Sequence, residues 1–154
     1  MGDSDEFPHK YLAAAAVFFD ERGRTLLVKP HYRPTWNLAG GIVEDNESPL
    51  AACIREVAEE LSLSVEIGRL LVADYRVNPD AGESIQFVFD GGVLDDARIA
   101  AISLQEEELT EFRFVDPDEA PPLLSPHLTR RVAAALEARA LGTTFYLEDG
   151  ATLG

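Results

Sequence analysis

The sequence predicts an α/β domain: a mixed β-sheet with helices packed against it. Three observations carry that expectation. Short runs rich in β-branched and aromatic residues outnumber helical stretches; two segments of helical periodicity lie far apart in the chain; and no linker separates one part from another. The chain has 154 residues, 46% hydrophobic and 27% charged. A domain of this length buries roughly 68–70% of its unfolded surface, so it needs no disulfide or structural metal to fold.

The elements follow in order. Residues 1–9 are polar and acidic and read as a flexible leader. Residues 11–19 are apolar throughout and end in Val17-Phe18-Phe19; with 25–29 they flank the turn residues 20–24, which predicts a hairpin. Residues 31–35 form a loop, flanked and interrupted by Pro30 and Pro34. Trp36-Asn37-Leu38 is a short apolar piece that Gly40-Gly41 breaks. Residues 48–62 are the clearest helix: Ser48 is a natural N-cap and Pro49 suits the first turn, while Leu50, Ile54, Val57 and Leu61 recur at helical spacing as the core stripe. Residues 65–71, 73–77 and 85–89 read as strands, with a turn at 78–82 between the last two. Residues 112–115 are a further strand. Residues 129–141 form the second helix, with Val132, Leu136 and Leu141 inward, and Gly142 stops it. The domain is thus expected over 10–141, and 142–154 is a C-terminal tail that either caps the fold or hangs free.

Asp and Glu number 28 against 13 Lys and Arg, a formal charge of −15. That excludes the basic footprint of a nucleic-acid polymer binder and gives no attraction to anionic membrane. The longest apolar run, 11–19, is far short of a membrane span of about 20 residues. Cys53 is the sole cysteine, so there is neither an internal disulfide nor a Cys-based zinc site. No apolar secretory segment stands at the start, and a cytoplasmic location is the expectation.

The chemistry is concentrated in 41–63. At roughly 100° per residue, with Glu56 at 0°, Glu60 falls near 40° and Glu59 near −60°. The three carboxylates share one helix face. Alone, such a triplet is a solvated acidic surface. Like charges at this spacing repel by about 0.2–0.5 kcal/mol per pair, a cost that a cation among them removes. Oxygen-only donors suit a hard ion, Mg²⁺ or Mn²⁺. Glu47, before the cap, is a fourth carboxylate, and Arg55 faces Glu59 one turn on.

The segment resembles the Nudix box, G-x5-E-x7-R-E-U-x-E-E-x-G-U, where U is a bulky aliphatic residue. Gly41 is its first glycine, Glu47 its first glutamate, Arg55-Glu56-Val57 its R-E-U, Glu59-Glu60 its acidic pair and Leu63 its last aliphatic. Trp36 to Gly41 is similar to the approach strand of the Nudix hydrolase family, and 116–120 followed by a helix to its C-terminal layout. Two positions depart: Ser62 stands where the family has glycine, and Ala39 where a proline usually precedes Gly-Gly. A left-handed helix end costs Ser about 1 kcal/mol more than Gly.

The resemblance implies an α/β/α sandwich and an Mg²⁺- or Mn²⁺-dependent pyrophosphohydrolase acting on the diphosphate linkage of a nucleoside diphosphate derivative: ADP-ribose, a nucleotide sugar or a nucleoside triphosphate. It implies Glu56, Glu59, Glu60 and the Gly41 carbonyl as metal ligands, and Glu47 as a partner of Arg55 that shapes the site. The base would be Glu59, Glu60 or, from the stretch 105–108, Glu107 or Glu108; Glu107 is taken as the candidate. Arg33 and Lys29 are candidates for phosphate contacts and Tyr32 for stacking on a base. Dimers are common in the family, so a homodimer is a candidate assembly. The competing reading is a non-catalytic Nudix domain that senses a nucleotide or binds a protein partner; the full acid set argues against it.

Overall fold

The computed structural model describes residues 6–152; of the expected leader, 1–5 lie outside the described residues. Eight strands form one mixed sheet: β1 (Tyr11–Phe19), β2 (Thr25–Pro30), β3 (Ala39–Ile42), β4 (Leu70–Asn78), β5 (Gly82–Val93), β6 (Leu109–Val115), β7 (Phe145–Glu148) and β8 (Ala151–Thr152). Their order is β6-β2-β1-β5-β4-β7-β8, with β3 pairing β1 off this path. The β1–β5 and β4–β7 pairs are parallel and the others antiparallel. The helices are α1 (Pro49–Leu61), α2 (Asp96–Ala100) and α3 (Pro126–Leu141).

Two apolar clusters, one on each face, make this a sandwich. Along β1, Ala14, Ala16 and Phe18 join the cluster that includes Cys53, Val57 and Leu61 of α1. The intervening Val17 and Phe19 join the cluster that includes Leu128, Val132 and Ala135 of α3. A strand covered on both faces has no polar side to show, which is why 11–19 is apolar throughout. Val57 and Leu61 are fully buried, each contributing about 1.5–3 kcal/mol relative to exposure.

The β1–β2 turn is held by Asp20, whose carboxylate accepts from the Arg22 and Arg24 amides at 3.0 and 2.8 Å and from Arg24 Nε at 2.7 Å. Helix α1 begins as expected, with Ser48 Oγ accepting from the Ala51 amide at 3.1 Å. It ends at Ser62 in the left-handed conformation, φ 59°. The Ser62 hydroxyl donates to the Ser103 carbonyl at 2.9 Å, a bond that offsets the strain a glycine would avoid.

Several expectations are corrected. The buried face of α1 is Ala52, Cys53, Val57 and Leu61, while Leu50 and Ile54 are 41% and 42% exposed. The helix is rotated so that its acidic face turns toward the sheet. Gly40-Gly41 does not break a strand but lies inside β3. A Cβ on Gly40 would stand 2.3 Å from the Ala14 carbonyl oxygen, and one on Gly41 2.5 Å from Glu56 Cδ. Glycine is what lets β3 approach β1 and α1 so closely. Residues 65–69 form no strand; Val65 and Ile67 alternate because they pack on the α1-side core. Helix α3 starts at Pro126, and Leu141 is exposed. Of the expected tail, residues 145–148 supply β7, which extends the sheet beside β4. No helix among the described residues is long and apolar enough to cross a membrane.

Candidate functional site

Helix α1 and the loop before it build an acidic pole around one guanidinium. Arg55 grips Glu47 with both arms: Nε donates to Oε2 at 2.8 Å and Nη2 to Oε1 at 3.0 Å. Its Nη2 also donates to the Ile42 carbonyl at 3.1 Å, tying the helix to the end of β3. Nη1 donates to Glu56 Oε1 at 2.9 Å and to Glu59 Oε2 at 3.3 Å. The salt bridges with Arg55 hold the Glu47 carboxyl down at about 2 and raise the Arg55 pKa further. The Glu47 side chain also accepts from the Glu44 amide at 3.0 Å, closing the turn before the helix.

Glu60 points the other way, into the fold. Its Oε1 accepts from the Gly40 amide at 2.8 Å. Burial pushes its pKa up to about 8, helped by the charges of Glu56, Glu108 and Glu59 and opposed by that amide. Burial likewise raises Glu56, against the pull of Arg55.

The acidic stretch near the C-terminus does reach this pole. Gln105 and Ser103 amides donate to the Glu60 and Leu61 carbonyls, each at 3.0 Å, and so continue the end of α1. Within the stretch, Glu108 is the acid whose charge bears on Glu60. Glu107, the expected base, is exposed, and its carbonyl is bonded to the His31 ring.

Among the described residues, no three Asp, Glu, His or Cys side chains stand as a ready metal cage. The reason is local: Arg55 holds Glu56 and Glu59, and the Gly40 amide holds Glu60. The donor set still fits a hard divalent ion. It is all carboxylate oxygen on adjoining turns of one helix, with Gly41 against Glu56 and a half-buried, acid-crowded Glu60 that lacks a cationic partner among the described residues.

On the α3 face lies a cavity of about 410 Å³, within the usual range for a small-molecule site. Gly40 and Gly41 form part of its wall, so β3 separates the cavity from the acidic pole and belongs to both. Tyr32 and Arg33 line its mouth; Tyr32 is 59% exposed, with the Arg33 guanidinium 5.4 Å from its ring centre. Lys29 is not at the cavity. Its ammonium donates to the carbonyls of Pro30, at 2.8 Å, and Arg33, and so braces the loop. The candidate phosphate contact Lys29 thus faces these loop carbonyls.

The sequence reading missed the other wall. Arg76, Gln86, His127 and Arg131 line the cavity from β4, β5 and α3. Arg131 is 6% exposed and donates through Nε to Asp74 Oδ2 at 2.7 Å; Asp74 is 0% exposed and its Oδ1 accepts from the Gly150 amide at 3.0 Å. The available signal was positional: Arg131 shares a helix face with Leu128, Ala135 and Ala138, where an arginine needs a reason.

A family model described as NUDIX domain matches residues 9–136. The chain belongs to the Nudix family. Among Nudix relatives, a MutT-like protein of Streptomyces ambofaciens is 36% identical over 63 residues, 41% of each chain. An 8-oxo-dGTP diphosphatase of Proteus vulgaris is 32% identical over 78 residues, 48% of this chain and 70% of that one. The match thus spans less than half of the first relative's length. Among solved structures, a UDP-X diphosphatase superposes with a TM-score of 0.75 at 22% identity, covering 96% of this chain and 76% of that one. At that identity the likeness speaks for the Nudix fold alone.

Proposed function

We propose that this Nudix protein is a divalent-metal-dependent pyrophosphohydrolase that cleaves the diphosphate linkage of a nucleoside diphosphate derivative. The observation that carries the reading is the shared wall: Gly40-Gly41 borders both the acidic pole on α1 and the arginine-bearing cavity. A nucleotide seated in the cavity would present its phosphates across β3 to the carboxylates. Glu56, Glu59 and Glu60 would hold Mg²⁺ or Mn²⁺, with the Gly41 carbonyl alongside. Such an ion supplies charge neutralisation for the diphosphate oxygens and a more acidic water.

The chain's own residues do the rest. Arg55 fixes Glu47, Glu56 and Glu59 relative to one another and to β3, so the acids meet the phosphates in one arrangement. Glu59 or Glu60 would take the proton of the attacking water, with Glu107 or Glu108 to assist; the Glu108 charge that bears on Glu60 supports the latter. Arg33 pairs with phosphate oxygens at the mouth, and Tyr32 offers its exposed ring to a base. The relatives are named for 8-oxo-dGTP and UDP-X, which supports a nucleotide with a diphosphate as the substrate class.

The test is a hydrolysis panel with Mg²⁺ and Mn²⁺ over nucleoside triphosphates, ADP-ribose, nucleotide sugars and dinucleoside polyphosphates. Turnover of one group, abolished by chelator, is the expected result. Tight nucleotide binding with no turnover across the panel would replace the enzyme with a nucleotide sensor.

A further inference from the structure

The cavity is basic in an acidic protein. The chain carries 28 acids, yet among the described residues none lines this cavity, whereas Arg33, Arg76 and Arg131 all do. Arg33 and Arg76 form no ion pair with any described residue. Arg131 spends Nε on Asp74, but its Nη2 is buried with no hydrogen-bond partner. A buried donor left unsatisfied is costly, and native folds retain one where a ligand or water completes it. His127, beside them, has its pKa pushed down to about 4, by burial first and then by the charges of Arg76, Arg131 and Arg130, with Asp74 opposing.

The Asp74–Arg131 pair is far from the β3 wall that borders the acidic pole. Strand register runs Ile42–Ala13–Gln86–Asp74 in one row across β3, β1, β5 and β4. Three inter-strand steps put Asp74, and the Arg131 it holds, about 14 Å from the β3 wall. One diphosphate does not reach both ends.

We propose that the β4–α3 end of the cavity receives a second anionic group of the substrate, a phosphate or carboxylate outside the scissile diphosphate, gripped by Arg131 and Arg76. This rests on the diphosphatase reading for what lies at the other end. Asp74 makes the grip rigid: it fixes the Arg131 guanidinium through Nε at the cavity wall. The substrate is thus a nucleotide derivative charged at both ends, and a neutral twin binds less well.

Twin ligands test it. ADP-ribose 2′-phosphate against ADP-ribose offers a remote phosphate, and UDP-glucuronate against UDP-glucose a remote carboxylate. Affinities are measured by calorimetry with Mg²⁺ at physiological ionic strength, in a Glu60→Gln background that suppresses turnover. The charged member of one pair is expected to bind roughly tenfold tighter or more, as for one charge-assisted hydrogen bond. The pair that discriminates tells phosphate from carboxylate. The advantage should fall below about threefold in Arg76→Gln, which disturbs no ion pair, and in Arg131→Gln where that variant folds. Equal affinities within both pairs, or an advantage that survives Arg76→Gln, would overturn the proposal. The wild-type protein is assayed on the same four compounds. Discrimination without hydrolysis leaves the anion receptor standing and removes the diphosphatase; hydrolysis without discrimination does the reverse.

Discussion

Two charge clusters face one another across β3, and they are built in opposite ways. At the acidic pole a single arginine, Arg55, sits among Glu44, Glu47, Glu56 and Glu59, with its side chain a quarter exposed. Behind the cavity wall a buried carboxylate, Asp74, anchors Arg131, which lines the cavity with Arg76 and Arg33. The first cluster is wet and adjustable: its acids have one partner to trade among them, as a site that must admit a cation requires. In the second the Asp74–Arg131 pair is dry and fixed, because a buried ion pair that loses one partner leaves a charge with no solvent to receive it.

The largest effect follows from that dryness. Asp74→Asn should lower the unfolding free energy by about 3–5 kcal/mol, read by urea denaturation, because Arg131 then carries an uncompensated buried charge. A loss under about 1 kcal/mol would mean that water reaches the pair and the contrast with the acidic pole is false.

The acidic pole should behave oppositely. Arg55→Lys keeps the charge but loses the two-armed grip on Glu47, so stability should change by less than about 1 kcal/mol. Its cost should fall instead on kcat/KM and on the half-saturating Mg²⁺ concentration, each worsened by roughly tenfold or more, as for a residue that orients ligands. An unchanged Mg²⁺ dependence would reduce Arg55 to a structural tie.

How legible each cluster was in the sequence follows from the same contrast. Glu47, Arg55, Glu56, Glu59 and Glu60 lie on one helix and its approach loop, so spacing alone gathers them. Asp74 and Arg131 are 57 residues apart and meet because β4 and α3 pack together, which no local period announces. The apolar runs gave β1, β2 and the helix cores. The errors came where packing, not pairing, set the pattern: Val65 and Ile67 alternate without a strand, and Leu50 and Ile54 yield the buried face to Ala52 and Cys53 while Gly41 leaves room for Glu56 beside it. Gly40-Gly41 read as a break because the sequence does not show what stands within 3 Å of a missing Cβ. Residues 145–148 looked like a tail because a four-residue strand gains its stability from β4 rather than from its own length.

The smallest expected effect is on pH dependence. His127 is held neutral, with its folded pKa near 4 against an ordinary 6.5. Between those values the unfolded chain binds the proton and the folded one does not, so stability present above pH 6.5 is lost as pH falls toward 4. His127→Gln should flatten that part of the profile. Urea midpoints at pH 7 and pH 4.5 read it, and an equal loss in wild type and variant would show that burial and the neighbouring arginines do not hold His127 neutral.

The central claim is that the carboxylates of α1 carry the chemistry. It is tested most directly by wild type and Glu60→Gln assayed side by side at saturating Mg²⁺ on the best substrate of the panel, with melting curves on the same samples. The expected kcat is lower by at least roughly a hundredfold in a protein that melts no lower than wild type, since Gln can still accept from the Gly40 amide. A kcat within about threefold of wild type would contradict it and move the reaction away from this helix.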